Sequence, residues 1–368
     1  MTVSAATISR VEIRSWELPL ERPLRVGGRT IERRSGLLVL VEDGEGHAGI
    51  GETAPLPGLH VETLEEATAQ LFALAGRLEG ALIPENCPAL AGAFETWLGG
   101  LSLSPSVRAG IEGAVLTLLA DRAGTDLPHL LAGEPAELVR INGLLDGSMY
   151  ATLDTATRLA DQGYTALKIK VGRRDPGDEA EHVLTVRALV GPAVALRLDA
   201  NRAWDLATAE DFAERVAPAG IEYLEEPLRD PGDLAEFVAQ SALPVALDET
   251  LLDYSPQAPP PLRGVAALVL KTSVLGGYER ALAWARLARR ERLAAVVSAA
   301  FPSAVGLALD AAFAAALGDE TAHGLGTGSV YAGDLWRAPL LIDGGCIDAR
   351  RIPFRPGEFA LGRTRVLR

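Results

Sequence analysis

The stretch TALKIKVG, residues 165–172, sets Lys168 and Lys170 two positions apart in a segment that otherwise reads as a buried strand. Alternate side chains of a strand share a face, so the two ammonium groups stand side by side. Burying like charges is costly, which marks the segment as a candidate site and not as plain scaffold.

Short apolar runs of the same kind recur on both sides of it. They are LVRINGLL (138–145), VALRLDAN (194–201), IEYLEEP (221–227), PVALDET (244–250), ALVLKTS (267–273), AAVVSAA (294–300) and AHGLGTG (322–328). With Lys168, Asp199, Glu225, Asp248 and Lys271 as markers, the steps are 31, 26, 23 and 23 residues. Each step accommodates a strand, a helix and two short loops. Eight strands at that pitch predict an α/β fold with a closed (β/α) barrel over residues 131–330, although a doubly wound open sheet has a similar local signature.

Residues 1–130 read differently. VEIRSWEL, GLLVLVED and AGIGETA alternate as an antiparallel meander. Helical spacing follows in VETLEEATAQLFALAGRL and SVRAGIEGAVLTLLADRAG, with Thr63 and Glu66 as a capping box. This is an α+β unit, and residues 331–368, which hold no further strand-helix repeat, are expected to return to it.

Composition narrows the function. The chain has 368 residues, is 48% apolar and carries a net charge of −14, with acids spread along its length, which argues against nucleic acid or an anionic membrane as partners. Cys87 and Cys346 offer neither a disulfide framework nor a zinc knuckle, and the histidines form no HExxH pair. The N-terminal residues lack a basic segment followed by an apolar stretch, so the expected location is cytoplasmic. Composition does not fix the oligomeric state.

Asp199, Glu225, Asp248 and Lys271 each close an apolar run just before a loop, where a barrel carries its functional groups. Three carboxylates converging there repel one another unless a cation is shared between them. An all-oxygen donor set suits Mg²⁺ or Mn²⁺ and leaves positions for the oxygens of a small-molecule carboxylate substrate. The paired lysines are expected to depress one another's pKa, so that one amine is neutral and acts as a base on the carbon next to that carboxylate.

The KxK strand and the LDAN, EEP and LDET strand ends together resemble the muconate lactonizing enzyme subgroup of the enolase superfamily. That superfamily is a general illustration of a lysine base working beside Mg²⁺, so the mechanism is carried over from it. The resemblance implies a modified TIM barrel, (β/α)7β, capped by an α+β N-terminal domain that the C-terminal segment completes. It implies Asp199, Glu225 and Asp248 as metal ligands, Lys170 as base, Lys168 as its neighbour and Lys271 on the opposite face of the substrate. Asn201, Glu226 and Glu249 would orient these groups, and Ser298, Gly324 and Gly326 would touch substrate, the glycines through a backbone nest.

The cap loop GETAPLPGLHVETLEEA, residues 51–67, is similar to that of o-succinylbenzoate synthases, the dehydratases of menaquinone biosynthesis. The implied reaction is syn dehydration of 2-succinyl-6-hydroxy-2,4-cyclohexadiene-1-carboxylate. The alternatives in the same subgroup are an N-acylamino acid racemase, a dipeptide epimerase or a cycloisomerase. The chain departs from the family pattern at SAAFPSAVGL, where Pro302 replaces an acid, and at LKTS, where a proline commonly follows the lysine.

Overall fold

The computed structural model describes residues 6–368; residues 1–5 of the expected N-terminal unit lie outside the described part. The meander forms as a long hairpin, Arg10–Val26 with Arg29–Glu42, followed by Ala48–Thr53, all antiparallel. Val11 and Ile13 turn inward while Arg10 stays exposed, the alternation that lets one face of the sheet bury itself. The helix Leu64–Leu78 starts on the capping box, with Thr63 Oγ1 accepting from the Glu66 amide at 3.2 Å and Glu66 Oε2 accepting from the Thr63 amide at 2.8 Å.

The helix Pro105–Arg122 is the joint of the molecule. It is buried on nearly every side, because the third cap strand lies along one face and Leu309 and Tyr278 of the barrel helices lie along another. Glycines make the first contact possible: a Cβ on Gly51 would sit 1.9 Å from the Gly110 carbonyl oxygen, and one on Gly49 would sit 2.0 Å from that of Ala114. Buried charge reinforces the joint. Arg108 donates to Glu112 at 2.8 Å and to Glu279 at 3.3 Å, and Glu279 accepts from the amides of Gly92, Phe94 and Glu95.

Seven parallel strands make the barrel sheet: Gly143–Leu145, Ala166–Lys170, Ala195–Asp199, Tyr223–Glu225, Val245–Leu247, Val265–Leu270 and Ala294–Val297. They pair in sequence order, and the eighth segment closes the ring without becoming a full strand. His323 bridges to Ile141 of the first segment and Gly324 to Ser298 after the seventh. This is the (β/α)7β architecture with a separate antiparallel sheet.

Three local features depart from the expected pattern. LVRINGLL splits, so that Leu138–Arg140 pairs with Cys346–Asp348 of the C-terminal segment and only Gly143–Leu145 enters the barrel. No α-helix follows the fifth strand: a 3₁₀ turn, Glu249–Asp253, leads into SPQAPPPLRG, whose prolines lack amide donors and resist helix. The C-terminal segment touches both units, since Arg365–Val366 adds to the cap sheet beside Arg14 and Ser15.

Gly51→Ala is expected to destabilise the protein by about 1–3 kcal/mol, the usual cost of overpacking a tight contact. Gly357→Ala, which meets nothing within 4 Å, should leave the melting temperature unchanged in the same calorimetric comparison.

Candidate active site

The parallel register decides which side chains meet. Lys170 lies opposite Asp199, and Asp199 opposite Glu225, so three consecutive strands present charged groups at one level of the barrel mouth. Asp248 follows the fifth strand and Lys271 the sixth, continuing the arc.

The charges pair closely. Lys168 Nζ donates to both oxygens of Glu225, at 2.7 and 2.8 Å, and lies 2.8 Å from Asp199 Oδ2. Lys170 Nζ donates to the same Asp199 oxygen at 2.6 Å and to Asn201 Oδ1 at 2.9 Å. On the other side Lys271 donates to Asp248. All three carboxylates are buried, at 1 to 5% exposure, whereas the side chain of Lys170 retains 20% against 11% for Lys168. Lys170 is thus the more open of the two amines.

Each of the three acids lies against an ammonium group: Asp199 against Lys168 and Lys170, Glu225 against Lys168, and Asp248 against Lys271. The charge state of Lys168 follows from these partners. Burial pulls Lys168 down, but Asp199 and Glu225 outweigh it and hold its ammonium well above the ordinary value. Burial likewise opposes charge on Lys271, and Asp248 and Glu249 restore it. For Asp199 the desolvation cost is exceeded by Lys168 and Lys170, so its carboxyl sits well below the usual range. Burial pushes Glu225 up, and the neighbouring Asp199 adds to the push.

Around this arc the loops are held in strained backbone. Asn201, Arg202 and Glu226 take φ values of 44°, 59° and 43°, left-handed conformations that cost non-glycine residues energy and persist where the surroundings over-determine them. Glu226 turns away from the mouth. Its carboxylate accepts from the amides of Asp248 and Thr250 at 2.8 and 2.7 Å and from the Thr250 hydroxyl at 2.9 Å, with Arg202 at 3.1 Å, and so fixes the chain that carries Asp248. Asn201 Nδ2 donates to Glu249 Oε1 at 3.2 Å, while the buried Glu249 Oε2 has no hydrogen-bond partner.

The candidate substrate contacts are less uniform. Ser298 and Gly324 form a bridge, and the Gly324 amide donates to the Val297 carbonyl at 2.7 Å, so that N–H closes the barrel and is not offered to an anion. Gly326 has room for a Cβ only 3.4 Å from the Asn142 carbonyl, beside the first barrel segment.

The sequence reading missed the residues by which the cap grips the seventh loop. Arg34, 2% exposed, donates to the Phe301, Pro55 and Ala54 carbonyls at 3.2, 3.1 and 2.9 Å. Glu52 accepts from the Ser303 and Gly306 amides at 2.9 and 3.2 Å and from the Ser303 hydroxyl. The Tyr331 hydroxyl donates to the Phe301 carbonyl at 2.7 Å, and Phe301 itself sits at φ 53°. A single acid in the apolar run AGIGETA was the available signal for Glu52; nothing local distinguishes Arg34 from Arg33.

Comparison with known proteins places this arrangement. A family model described as enolase C-terminal domain-like matches residues 151–357, and one described as the MenC N-terminal domain matches residues 8–94. The o-succinylbenzoate synthase of Citrobacter koseri is 33% identical over 86% of this chain and 90% of its own length. The chloroplastic protein PHYLLO of Arabidopsis thaliana is 34% identical over 80% of this chain, which spans only 19% of that longer protein. Among solved structures, MenC from Desulfotalea psychrophila superposes with a TM-score of 0.78 at 25% identity, over 93% of this chain and all of that one. Muconate lactonizing enzyme from Pseudomonas fluorescens superposes at 0.83 with 19% identity, over 98% of this chain and 99% of that one. A dipeptide epimerase from Enterococcus faecalis V583, complexed with Mg and a dipeptide, superposes at 0.79 with 22% identity over the same shares of the two chains. These last two likenesses show the fold alone. The two family models and the relative matched over most of both chains show that this chain belongs to the enolase superfamily and, within it, to the o-succinylbenzoate synthase family.

Proposed function

We propose that the chain catalyses metal-dependent syn dehydration of 2-succinyl-6-hydroxy-2,4-cyclohexadiene-1-carboxylate to 2-succinylbenzoate, a step of menaquinone biosynthesis. The observation that carries this reading is the arc itself: amines from the second strand and an amine from the sixth flank acids from the third, fourth and fifth. The similarity to o-succinylbenzoate synthases, over 86% of this chain, supports dehydration among reactions that begin with the same proton removal.

Asp199, Glu225 and Asp248 are the residues that would hold a divalent ion. The donor set fits one, since it offers only hard oxygen atoms, and burial with mutual repulsion already drives the Glu225 carboxyl up in a way that a nearby cation relieves. Mg²⁺, or Mn²⁺, would supply positive charge to offset the enediolate as it forms. The Mg-bound epimerase of the same fold supports the choice of ion.

The remaining work falls to this chain's own side chains. Lys170, the more open amine of the pair, takes the proton from the carbon bearing the ring carboxylate. The electron pair of that C–H bond becomes the new double bond, the C–O bond to the hydroxyl breaks, and Lys170 returns the proton so that water leaves from the same face. One base therefore suffices. Lys168, held charged between Asp199 and Glu225, keeps those carboxylates in place. Lys271 stays protonated and faces the developing negative charge from the opposite wall, with Asp248 holding it there. Asn201 fixes the direction of Lys170, and Glu226 and Glu249 brace the loops beneath.

A cytoplasmic location belongs to the same reading, supported by the two free thiols, Cys87 and Cys346. No helix among the described residues is long and apolar enough to cross a membrane. Racemisation of an N-acylamino acid is the second reading, favoured by amines on both walls of the mouth, and a panel assay of the cyclohexadiene beside N-acylamino acids and dipeptides ranks the two.

Lys170→Ala should lower kcat for dehydration by about 10³-fold, at the scale of a lost general base, with the circular dichroism of the folded protein retained. Near-normal turnover would refute the base assignment. Enzyme treated with a chelator should be inactive and recover on addition of Mg²⁺; full activity without a divalent ion would end the metal assignment.

A further inference from the structure

The first hairpin of the cap carries a charge opposite to that of the rest of the protein. Residues 21–34, ERPLRVGGRTIERR, hold five arginines and two glutamates in a chain whose net charge is −14. Arg34 is spent on backbone carbonyls, and Arg33 pairs with Glu17 at 2.7 Å. Arg22, Arg25 and Arg29 are exposed, and no described acidic side chain lies within ion-pair distance of them. Unpaired surface arginines need no explanation one at a time; three on one hairpin at the entrance to a site do.

Contacts at both ends place the hairpin over the entrance. At its base, Arg34 and Tyr331 both donate to the Phe301 carbonyl, just past the seventh barrel strand, and Leu20 bridges to Tyr331. At its tip, the backbone of Gly27 lies against that of Gly58, so near that a Cβ on Gly27 would be 2.6 Å from the Gly58 carbonyl oxygen. The Gly58 loop continues into Leu59, His60 and Val61, which share a cavity of about 800 Å³ with Leu251 and Val274, residues that follow the fifth and sixth strands. The hairpin therefore spans the rim from the seventh strand to the sixth.

A dicarboxylate approaching this protein meets the field of a chain with a net charge of −14. Coulomb repulsion at that distance slows encounter and weakens binding unless the entrance reverses the local sign. We propose that Arg22, Arg25 and Arg29 form an electropositive rim that attracts the dianionic substrate to the barrel mouth. The proposal rests on the dehydration reading for the charge of the substrate. The arginines act through space on association and binding, and the chemical step does not depend on them.

The test compares wild type with the triple variant Arg22→Gln, Arg25→Gln, Arg29→Gln and with the triple lysine variant, after equal melting temperatures are verified. kcat/KM for dehydration and Kd for 2-succinylbenzoate are followed from about 0.01 M to about 1 M ionic strength, over which the screening length falls from about 30 Å to about 3 Å. The glutamine variant should lose about tenfold in kcat/KM at low salt, keep its kcat, show a flattened salt dependence, and converge with wild type at high salt. The lysine variant should track wild type, since charge and not guanidinium geometry is at issue. Identical salt dependences of wild type and the glutamine variant, or a loss confined to kcat, would overturn the rim while leaving the dehydration reading intact. A wild-type enzyme that neither turns over the cyclohexadiene nor binds 2-succinylbenzoate would overturn both.

Discussion

Compensation of buried charge at the carboxyl ends of the barrel strands is the constraint on which the rest of the structure depends. Asp199, Glu225 and Asp248 are almost wholly removed from water, and Lys168, Lys170 and Lys271 are inserted among them. Removing one partner from such a set leaves an uncompensated charge in a low-dielectric interior, at a cost of about 3–5 kcal/mol. The arrangement is therefore a poor device for stability and a good one for chemistry: groups held against their preferred solvation respond strongly to a change of charge beside them.

Such a cluster is useful only if the loops that carry it cannot relax. Glu226 shows how this is achieved, because its carboxylate is consumed by backbone amides of the next loop, so that the third acid is positioned by the neighbour of the second. The left-handed residues Asn201, Arg202 and Glu226 sit at these same strand ends. Their strain is borne by the hydrogen bonds around them, and the strands beneath, rigid through their parallel pairing, supply the anchor.

The cap is coupled to the barrel by the same kind of interaction. Arg34 and Glu52 bury charge against backbone groups of the loop that follows the seventh strand, and Arg108, Glu112 and Glu279 do so around the helix Pro105–Arg122. Side chains of the cap thus satisfy backbone donors and acceptors of the barrel that would otherwise be buried unpaired. The seventh loop, which carries Pro302, is held by groups reaching in from the cap.

The sequence by itself determined the barrel, the meander, the capping box at Thr63 and the five charged strand ends, because these depend on period, spacing and local chemistry. It also determined that Lys168 and Lys170 share a face, since alternation along a strand is a local rule. Tertiary structure alone decided what those charges do to one another. The fold brings Glu225 and Asp199 against Lys168, and together they hold its ammonium well above the ordinary value. Closure of the ring committed the Gly324 amide to Val297, and the prolines after the fifth strand replaced its helix with an extended loop. Arg34 and Glu52 were invisible for the same physical reason: electrostatic partners are set by distance in space, and Arg34 finds Phe301 267 residues along the chain.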